Sequence, residues 1–201
     1  EAITELALAL FGLNPPDAGQ ILLNGKAVRI RSPEDAGRLG IGYLPEDRLT
    51  QGLFIGQSIG DNIVVTVLKK LLGALGLLDP ARRRKTEKRW LEELAIKAPS
   101  ARVRAWSLSG GNQQRVVLAK WLATDPKVFI LDGPTIGIDI ASKQNIHEII
   151  RALAGRGIAI IIISRFYSSG VQVSGFMIAL LGVGLVPALQ ALGVRRPAIY
   201  V

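Results

Sequence analysis

The sequence of 201 residues carries 25 lysines and arginines against 16 acidic residues, a formal net charge of +9. Its length allows one domain with a sizeable core. The absence of cysteine excludes a disulfide framework and thiol chemistry. The basic charge is compatible with nucleic acid, anionic lipid or nucleotide phosphate as a partner.

A β-hairpin is predicted near the start of the chain. Asn24-Gly25 is the strongest short hairpin signal, and it lies between the candidate strands 20–23 and 26–30. The apolar, alanine-rich run 6–13 stops before two prolines and therefore predicts the end of a helix. A short helix and a short strand are predicted to follow, over 33–38 and 40–44.

The next part of the chain predicts two helices of different character. Residues 62–78 are mostly apolar and helical in pattern, with interruptions at Gly73 and Gly76. Residues 81–94 predict a basic amphipathic helix whose arginines and lysines lie on a solvated face. The side chains expected to face inward from this helix are Trp90, Leu91 and Leu94.

The second half of the chain alternates helix and strand. A helix begins at Ser109, because apolar residues recur after it at helical spacing. Strands at 128–131 and 158–163 flank an amphipathic helix that contains Ile146 and Ile150. The second strand is uniformly apolar, as expected for a parallel strand buried on both faces. Strand, helix and strand in this order predict an α/β crossover unit.

Two motifs carry chemistry. Residues 107–115, Ser-Leu-Ser-Gly-Gly-Asn-Gln-Gln-Arg, are a polar turn that opens a helix. Ser109 can cap this helix, and Gly110 and Gly111 let an anion approach backbone N–H groups. The strand Phe129–Asp132 delivers one carboxylate at its C-terminal end, where α/β sheets place ligand chemistry. An anion cradle followed by a metal-type aspartate indicates a nucleotide phosphate with Mg²⁺.

These motifs resemble those of the ATP-binding subunits of ABC transporters. Residues 108–114 resemble the ABC signature, Val128–Asp132 the Walker B strand, and 134–139 the segment that leads into the D-loop. The sequence is most similar to the second nucleotide-binding domain of monosaccharide importers of the ribose, galactose and xylose type. In that comparison 42–48, Gly-Tyr-Leu-Pro-Glu-Asp-Arg, corresponds to the Q-loop region. The resemblance runs from about Thr4 to Ser164.

The resemblance implies a fold and a division of the chain. The implied fold is an α/β fold of the P-loop ATPase type, in which a parallel sheet core carries a helical subdomain with the signature motif. Residues 1–164 would form a partial, incomplete nucleotide-binding domain of this kind, with the helical subdomain at about 60–125. Residues 165–201 would form a divergent hydrophobic tail.

The resemblance also implies ATP and Mg²⁺ as cofactors and a set of site residues. The implied nucleotide-binding residues are Thr4, Glu46 (in place of the usual Gln), Ser109, Gly110, Gly111, Gln113 and Asp139. Asp132 and, through water, Thr4 would hold Mg²⁺. Because ABC sites form across a head-to-tail dimer, the signature residues would face a γ-phosphate held by a second nucleotide-binding domain with an intact P-loop.

The sequence departs from the family at positions that matter for hydrolysis. No glycine precedes Thr4, so the phosphate-binding loop is almost missing from the residues given. Gly133 stands where the family has the glutamate that orients the attacking water, and Arg165 stands at the switch position, usually histidine. No catalytic residue is intact by this comparison. The isolated chain is therefore expected to be inactive or very weak in ATP hydrolysis.

The resemblance stops after Ser164. Residues 166–194 carry no charge and are long enough to span a bilayer, with a candidate membrane segment at about 171–194. Three interpretations of this segment stay open: a buried core segment, a membrane span gained by fusion, or the out-of-frame translation of a degenerate gene.

The implied function is that of an ATP-binding subunit, or a degenerate fragment of one, of an ABC-type carbohydrate importer. Permease subunits and, indirectly, a sugar-binding protein are the further implied partners, and the implied location is peripheral, on the cytoplasmic face of the inner membrane. A non-hydrolysing regulatory or membrane-anchored ABC-like protein is the alternative. An ABC ATPase that processes nucleic acid fits less well, because 112–114 lack the acidic residue expected after the glycines. No nucleic-acid partner is therefore expected.

Overall fold

The computed structural model describes residues 2–166 and 175–181. The chain divides into two compact units, which we call unit 1 and unit 2. Unit 1 comprises Glu1–Tyr43, Lys127–Gly133 and Ile150–Val201. Unit 2 comprises Leu44–Pro126 and Pro134–Ile149.

A four-stranded sheet forms the centre of unit 1. Its strands, in spatial order, are β3 (Ile41–Leu44), β4 (Val128–Asp132), β5 (Ala159–Phe166) and β6 (Gly175–Leu181). β4 and β5 are parallel, with Asp132 opposite Ile163, whereas β5 and β6 are antiparallel. The predicted crossover is confirmed, because α6 (Ile140–Gly155) lies between β4 and β5 in the sequence.

The predicted hairpin is also confirmed. It consists of β1 (Ile21–Leu23) and β2 (Lys26–Val28), which pair in antiparallel register. The turn residues Asn24 and Gly25 have φ angles of 50° and 74°, the left-handed conformation that this dipeptide tolerates. The backbone preferences of Asn24 and Gly25 therefore determine where this hairpin turns.

Two helices from the first part of the chain also belong to unit 1. α1 (Ala2–Phe11) packs against β4 and against α2 (Pro33–Arg38). α2 begins where the sequence predicts, because Ser32 Oγ accepts a hydrogen bond from the Asp35 N–H at 3.2 Å and proline occupies the first helical position. The buried apolar side chains of the unit include Ala7, Phe11, Ile30, Tyr43, Phe129, Ile130, Leu131, Leu153, Ile160 and Ile163.

Unit 2 is predominantly helical. α3 (Ile59–Val64) packs against α4 (Pro80–Glu93) and α5 (Gly110–Leu122). A π-helical turn at Arg48–Gly52 precedes α3, and two 3₁₀ segments, Val65–Leu71 and Ala105–Ser107, lie between the three helices. The buried side chains around α5 include Ile59, Ile63, Trp90, Leu94, Val116, Val117, Leu118 and Leu122.

The apolar stretch 62–78 does not form the continuous helical element that its pattern predicts. α3 ends at Val64, the 3₁₀ segment follows, and a hairpin begins after Leu71. Gly73 N–H donates to Leu77 O at 2.8 Å, and Gly76 has a φ of 71°. Glycine destabilises helix and readily adopts left-handed turns, so the two glycines convert the end of the stretch into a hairpin.

The basic helix has the solvated face that its sequence predicts. Asp79 caps α4 by accepting hydrogen bonds from the Ala81 and Arg82 N–H groups. Trp90 and Leu94 are buried as expected, whereas Leu91 is half-buried. Ion pairs of i,i+4 spacing join the charged residues of this helix: Arg83–Glu87, Lys88–Glu92 and Arg89–Glu93.

The apolar segment after Ser164 is only partly described. Of the candidate membrane segment 171–194, residues 175–181 form β6, and the remainder lies outside the described residues. None of the helices in 2–166 has the length and apolar character needed to cross a bilayer.

Candidate functional site

The signature segment begins α5 in unit 2. Ser109 is the residue before the helix and has an extended backbone, with φ −61° and ψ 155°. Its side chain is not the cap that the sequence predicts, because Ser109 Oγ accepts a hydrogen bond from Asn112 Nδ2 at 3.1 Å instead of from a backbone N–H. The first turn of a helix leaves backbone N–H groups without intrahelical acceptors, so this end of α5 can meet an anion.

Neighbouring atoms lie so close to Gly110 and Gly111 of the signature that neither position has room for a Cβ atom. A Cβ on Gly110 would lie 2.9 Å from Arg48 Nη2 and 3.2 Å from Gly137 O. A Cβ on Gly111 would overlap the side chain of Ser142 at the start of α6. Glycine is therefore required here by packing as well as by exposure of the backbone.

A shallow basic groove lies beside this helix start. Its lining includes Lys97, Ser109, Gly111, Asn112, Arg115 and Ser142. The Lys97 N–H donates to Asn112 Oδ1 at 3.0 Å, and Arg115 Nη1 donates to Ala95 O at 2.6 Å. Two cationic side chains and a helix N-terminus give the groove a positive potential suited to phosphate.

Arg48 joins three segments of unit 2. Its Nη1 and Nη2 donate to the carbonyl oxygens of Ile136 and Gly137 at 3.0 and 3.1 Å, and its Nε donates to Gln113 Oε1 at 3.3 Å. The guanidinium thus connects the turn after the Q-loop region, the signature helix and the segment before Asp139. No pattern in the sequence marks Arg48 for this role, because two of its three partners are backbone carbonyl groups.

The glutamines of the signature extend this network. Gln113 is buried, and its Nε2 donates to Ala105 O at 3.3 Å. Gln114 Nε2 donates to Pro134 O at 2.9 Å. Both amides therefore hold neighbouring backbone in place, and a contact of Gln113 with nucleotide stays a prediction.

Two exposed carboxylates of unit 2, Asp139 and Asp47, accept hydrogen bonds from the residues that follow them. Asp139 accepts a hydrogen bond from the Ser142 N–H at 2.9 Å, which lowers the pKa of its exposed carboxyl group. Asp47, next to the half-buried Glu46, accepts from Thr50 Oγ1 at 2.7 Å. That hydroxyl, with two backbone N–H groups, lowers the pKa of Asp47. Both carboxylates thus order the backbone that follows them.

The Walker B strand places Asp132 at the end of β4 in unit 1. The carboxylate is buried, and Tyr43 on β3 donates its hydroxyl to Asp132 Oδ2 at 3.4 Å. The Tyr43 ring lies 5.1 Å from the ring of Phe11 on α1. The strand therefore delivers the carboxylate where the sequence predicts, and the tyrosine is a neighbour that the sequence did not reveal.

Gly133, directly after Asp132, has a left-handed backbone. Its φ is 55°, and its N–H donates to Ile163 O at 2.8 Å. A side chain at this φ is strained. The position at which the sequence resemblance implies a glutamate therefore has a conformation that favours glycine.

The remaining predicted residues of unit 1 are Thr4 and Arg165. Thr4 is half-buried in α1, which packs against β4. Arg165 lies in β5, but its side chain is outside the described part of the structure. No group of three or more acidic, histidine or cysteine side chains forms a metal cluster among the described residues. A Mg²⁺ bound directly by Asp132, with Thr4 acting through water, would fit the usual preference for few protein ligands with phosphate and water.

Comparison with known proteins assigns the family. Residues 4–136 match the sequence profile of the family described as ABC transporter. The ribose import ATP-binding protein of Rhodopirellula baltica is 44% identical over 162 residues, covering 80% of this chain and 32% of that protein. The chain thus spans about a third of the length of such curated relatives.

Solved structures share the fold. One ATP-binding cassette of an ABC transporter superposes with a TM-score of 0.68 at 20% identity, covering 82% of this chain and 66% of the other. A dimeric cassette in a post-hydrolysis state with ADP and phosphate gives a TM-score of 0.63 at 20% identity, covering 81% of this chain and 69% of the other. The predicted α/β fold with a parallel strand pair and a helical unit is confirmed. The chain belongs to the ABC transporter family.

Proposed function

We propose that this chain is an ATP-binding part of a carbohydrate importer, and that the start of α5 contacts ATP held by a second cassette. The observation that carries the proposal is the packed, basic end of α5, where Gly110 and Gly111 leave no side chain over the backbone N–H groups. The relatives named for ribose import support a sugar as the cargo. The dimeric relative with bound ADP and phosphate supports the two-cassette arrangement.

Each site residue has a defined part in this proposal. Ser109, Gly110 and Gly111 bind the γ-phosphate through hydroxyl and backbone donors, beside the cations Lys97 and Arg115. The Arg48 and glutamine contacts hold the segment before Asp139 against the signature helix. Glu46, Gln113 and Asp139 are proposed as further residues that contact nucleotide or the second cassette.

Mg²⁺ belongs to the site of unit 1 in this proposal. Asp132, with Thr4 acting through water, would hold an ion that neutralises phosphate charge. Tyr43 orients the Asp132 carboxylate by donating its hydroxyl. The other proposed partners are permease subunits and, through them, a sugar-binding protein, at the cytoplasmic face of the membrane.

The experiment measures ATP-dependent association with a cassette that carries an intact phosphate-binding loop. We expect the two proteins to associate with ATP and to separate without it, as read by size-exclusion chromatography with light scattering. Ser109→Arg should abolish the association, because the larger side chain fills the anion site. The matched control is Ser100→Arg, at an exposed serine of the same unit outside the groove. Equal association with and without ATP, or loss with both variants, would contradict the proposal.

We further propose that hydrolysis at the chain's own site is weak, which favours the non-hydrolysing alternative for that site. Gly133 offers no carboxylate to orient water, and the loss of a general base typically costs about 10²- to 10⁴-fold in rate. A phosphate-release assay on the isolated chain, without a partner cassette that hydrolyses ATP at its own site, tests this point. A rate in the usual range of about 1–10³ s⁻¹ at this site would refute it.

A further inference from the structure

Most of the net charge of the chain lies in one stretch of unit 2. Residues 65–89 contain eight lysines and arginines and two acidic residues, a net charge of +6 against +9 for the whole chain. The stretch includes the hairpin 72–78 between the 3₁₀ segment and α4, which we call the leucine hairpin. Strongly basic sequence thus flanks a short apolar hairpin on both sides.

Hydrogen bonds fix the leucine hairpin at both its tip and its base. The Gly73 N–H donates to Leu77 O at 2.8 Å, and the Gly76 N–H donates to Gly73 O at 3.0 Å. At the base, Leu72 and Leu78 pair in antiparallel orientation, and Arg82 Nη1 donates to Leu72 O at 3.0 Å. The hairpin therefore presents its side chains from a closed turn.

The side chains presented at this turn are leucines. Leu75 is 88% exposed and Leu77 is 70% exposed, and Leu68 and Leu72 are exposed as well. A group of neighbouring exposed apolar residues marks an interaction surface more often than single exposed ones do. These leucines are therefore candidates for burial against a partner.

The charge around the leucine hairpin indicates which partner fits. Lys69, Arg84 and Lys85 are exposed and form no ion pair within the described residues. Lys70 and Arg82 contact acidic groups, Asp125 at 3.8 Å and Asp79 at 3.4 Å. Exposed leucines that are flanked in the sequence by exposed cations match the boundary of a bilayer, where acyl chains adjoin lipid phosphates.

We propose that the leucine hairpin binds the surface of a bilayer that contains anionic phospholipid. Leu75 and Leu77 enter the boundary between headgroups and acyl chains, and Lys69, Arg84 and Lys85 contact the lipid phosphates. The contact is independent of nucleotide and would bring unit 2 to the membrane without a permease. It goes beyond the proposed ATP-binding function and does not require it.

The absence of cysteine allows a direct test of insertion. Leu75→Cys is labelled with an environment-sensitive fluorophore and mixed with vesicles of phosphatidylcholine or of equimolar phosphatidylcholine and phosphatidylglycerol. We expect a blue shift only with the anionic vesicles. The control label at Leu13→Cys, an exposed leucine of unit 1, should not shift. An unshifted label at position 75 with anionic vesicles overturns the proposal.

Binding to the same vesicles tests whether Leu75 and Leu77 contribute to the affinity for the membrane. In co-sedimentation, Leu75→Ser with Leu77→Ser should lower the partition constant by about tenfold or more, because two apolar side chains lose their burial. The control replaces the exposed Leu13 and Leu22 with serine and should bind like the parent chain. If the hairpin variant binds as tightly as the parent, another segment carries the binding and the proposal fails.

Removing positive charge from the chain distinguishes binding to lipid phosphates from adsorption through apolar side chains alone. Replacing Lys69, Arg84 and Lys85 with glutamine should weaken binding to anionic vesicles by about tenfold or more. The control with the same loss of charge replaces the exposed residues Lys26, Lys143 and Arg151 and should retain most of the binding. Equal binding of the parent chain to vesicles with and without phosphatidylglycerol also overturns the proposal.

Discussion

We expect the buried Lys120 on α5 to make the free energy of unfolding of unit 2 rise with pH in the alkaline range. Only 6% of the residue is exposed, and its ammonium group donates to the carbonyl oxygen of Gly52, at the end of the π-helical turn. The Nζ atom lies 5.5 Å from the Trp121 ring centroid. Burial lowers the pKa of Lys120 from 10.5 to about 8, because the charged form loses its hydration.

The difference between the two pKa values of Lys120 gives the direction and the size of the change in the free energy of unfolding. Between pH 8 and 10.5 the unfolded chain binds the proton that the folded chain has released, so the free energy of unfolding rises with pH in that window. At about 1.4 kcal/mol per pH unit, the total gain is on the order of 3 kcal/mol. Below pH 8 both states are protonated, and the cost of the buried charge is present in full.

Replacing Lys120 with methionine should remove this pH dependence. Methionine fills a similar volume, although the Gly52 carbonyl loses its donor at a cost of about 1–3 kcal/mol. The assay is urea unfolding followed by tryptophan fluorescence, because all three tryptophans, Trp90, Trp106 and Trp121, lie in unit 2. The difference between the parent chain and the variant should grow in favour of the parent from about pH 8 to about pH 10. Lys143→Met, at an exposed lysine, is the control. Parallel curves for the parent and Lys120→Met would refute the reasoning.

Three further substitutions test the packing of the site. Arg48→Ala should lower the free energy of unfolding of unit 2, measured in urea, by about 2 kcal/mol. Arg48→Lys should recover less than half of this loss, because an ammonium group cannot donate to both carbonyl groups as the planar guanidinium does. Full recovery by Arg48→Lys would argue against these paired hydrogen bonds. Gly111→Ala should lower the free energy of unfolding by about 1–3 kcal/mol, because the new methyl group overlaps the side chain of Ser142. In a double-mutant cycle, adding Ser142→Gly should restore part of this free energy. Strictly additive effects of the two substitutions would count against the overlap. Gly133→Ala should destabilise the chain by about 1 kcal/mol in thermal unfolding, because the residue has a φ of 55°. Gly155→Ala should be neutral or stabilising, because a Cβ there meets no neighbouring atom. If Gly155→Ala destabilised the chain more than Gly133→Ala, the backbone argument would be contradicted.

Local chemistry explains which elements the sequence could predict. Asn24-Gly25 determines a turn by its own backbone preferences, and β4 is a short, wholly apolar run that ends in a single carboxylate. The stretch 62–78 was ambiguous, because its pattern is helical while its glycines favour a turn. There the local glycine preference prevailed.

The contacts of the site could not be predicted in the same way. Arg48 meets the carbonyl groups of Ile136 and Gly137, which lie 88 and 89 residues away in the sequence. Backbone carbonyls have no sequence signature, so only the folded chain reveals such partners. Ser109 shows a related limit, because its hydroxyl accepts from the Asn112 side chain rather than from the backbone that capping rules favour.

The backbone at Gly133 also limits which side chains could be introduced directly after Asp132. A single substitution could place a carboxylate at the position after Asp132, but the new side chain would meet a φ of 55° and a strain on the order of 1 kcal/mol. Neighbouring residues would first have to relax the turn that the Gly133 N–H makes with Ile163 O. Installing a glutamate at this position would therefore require a change of backbone conformation as well as a change of side chain.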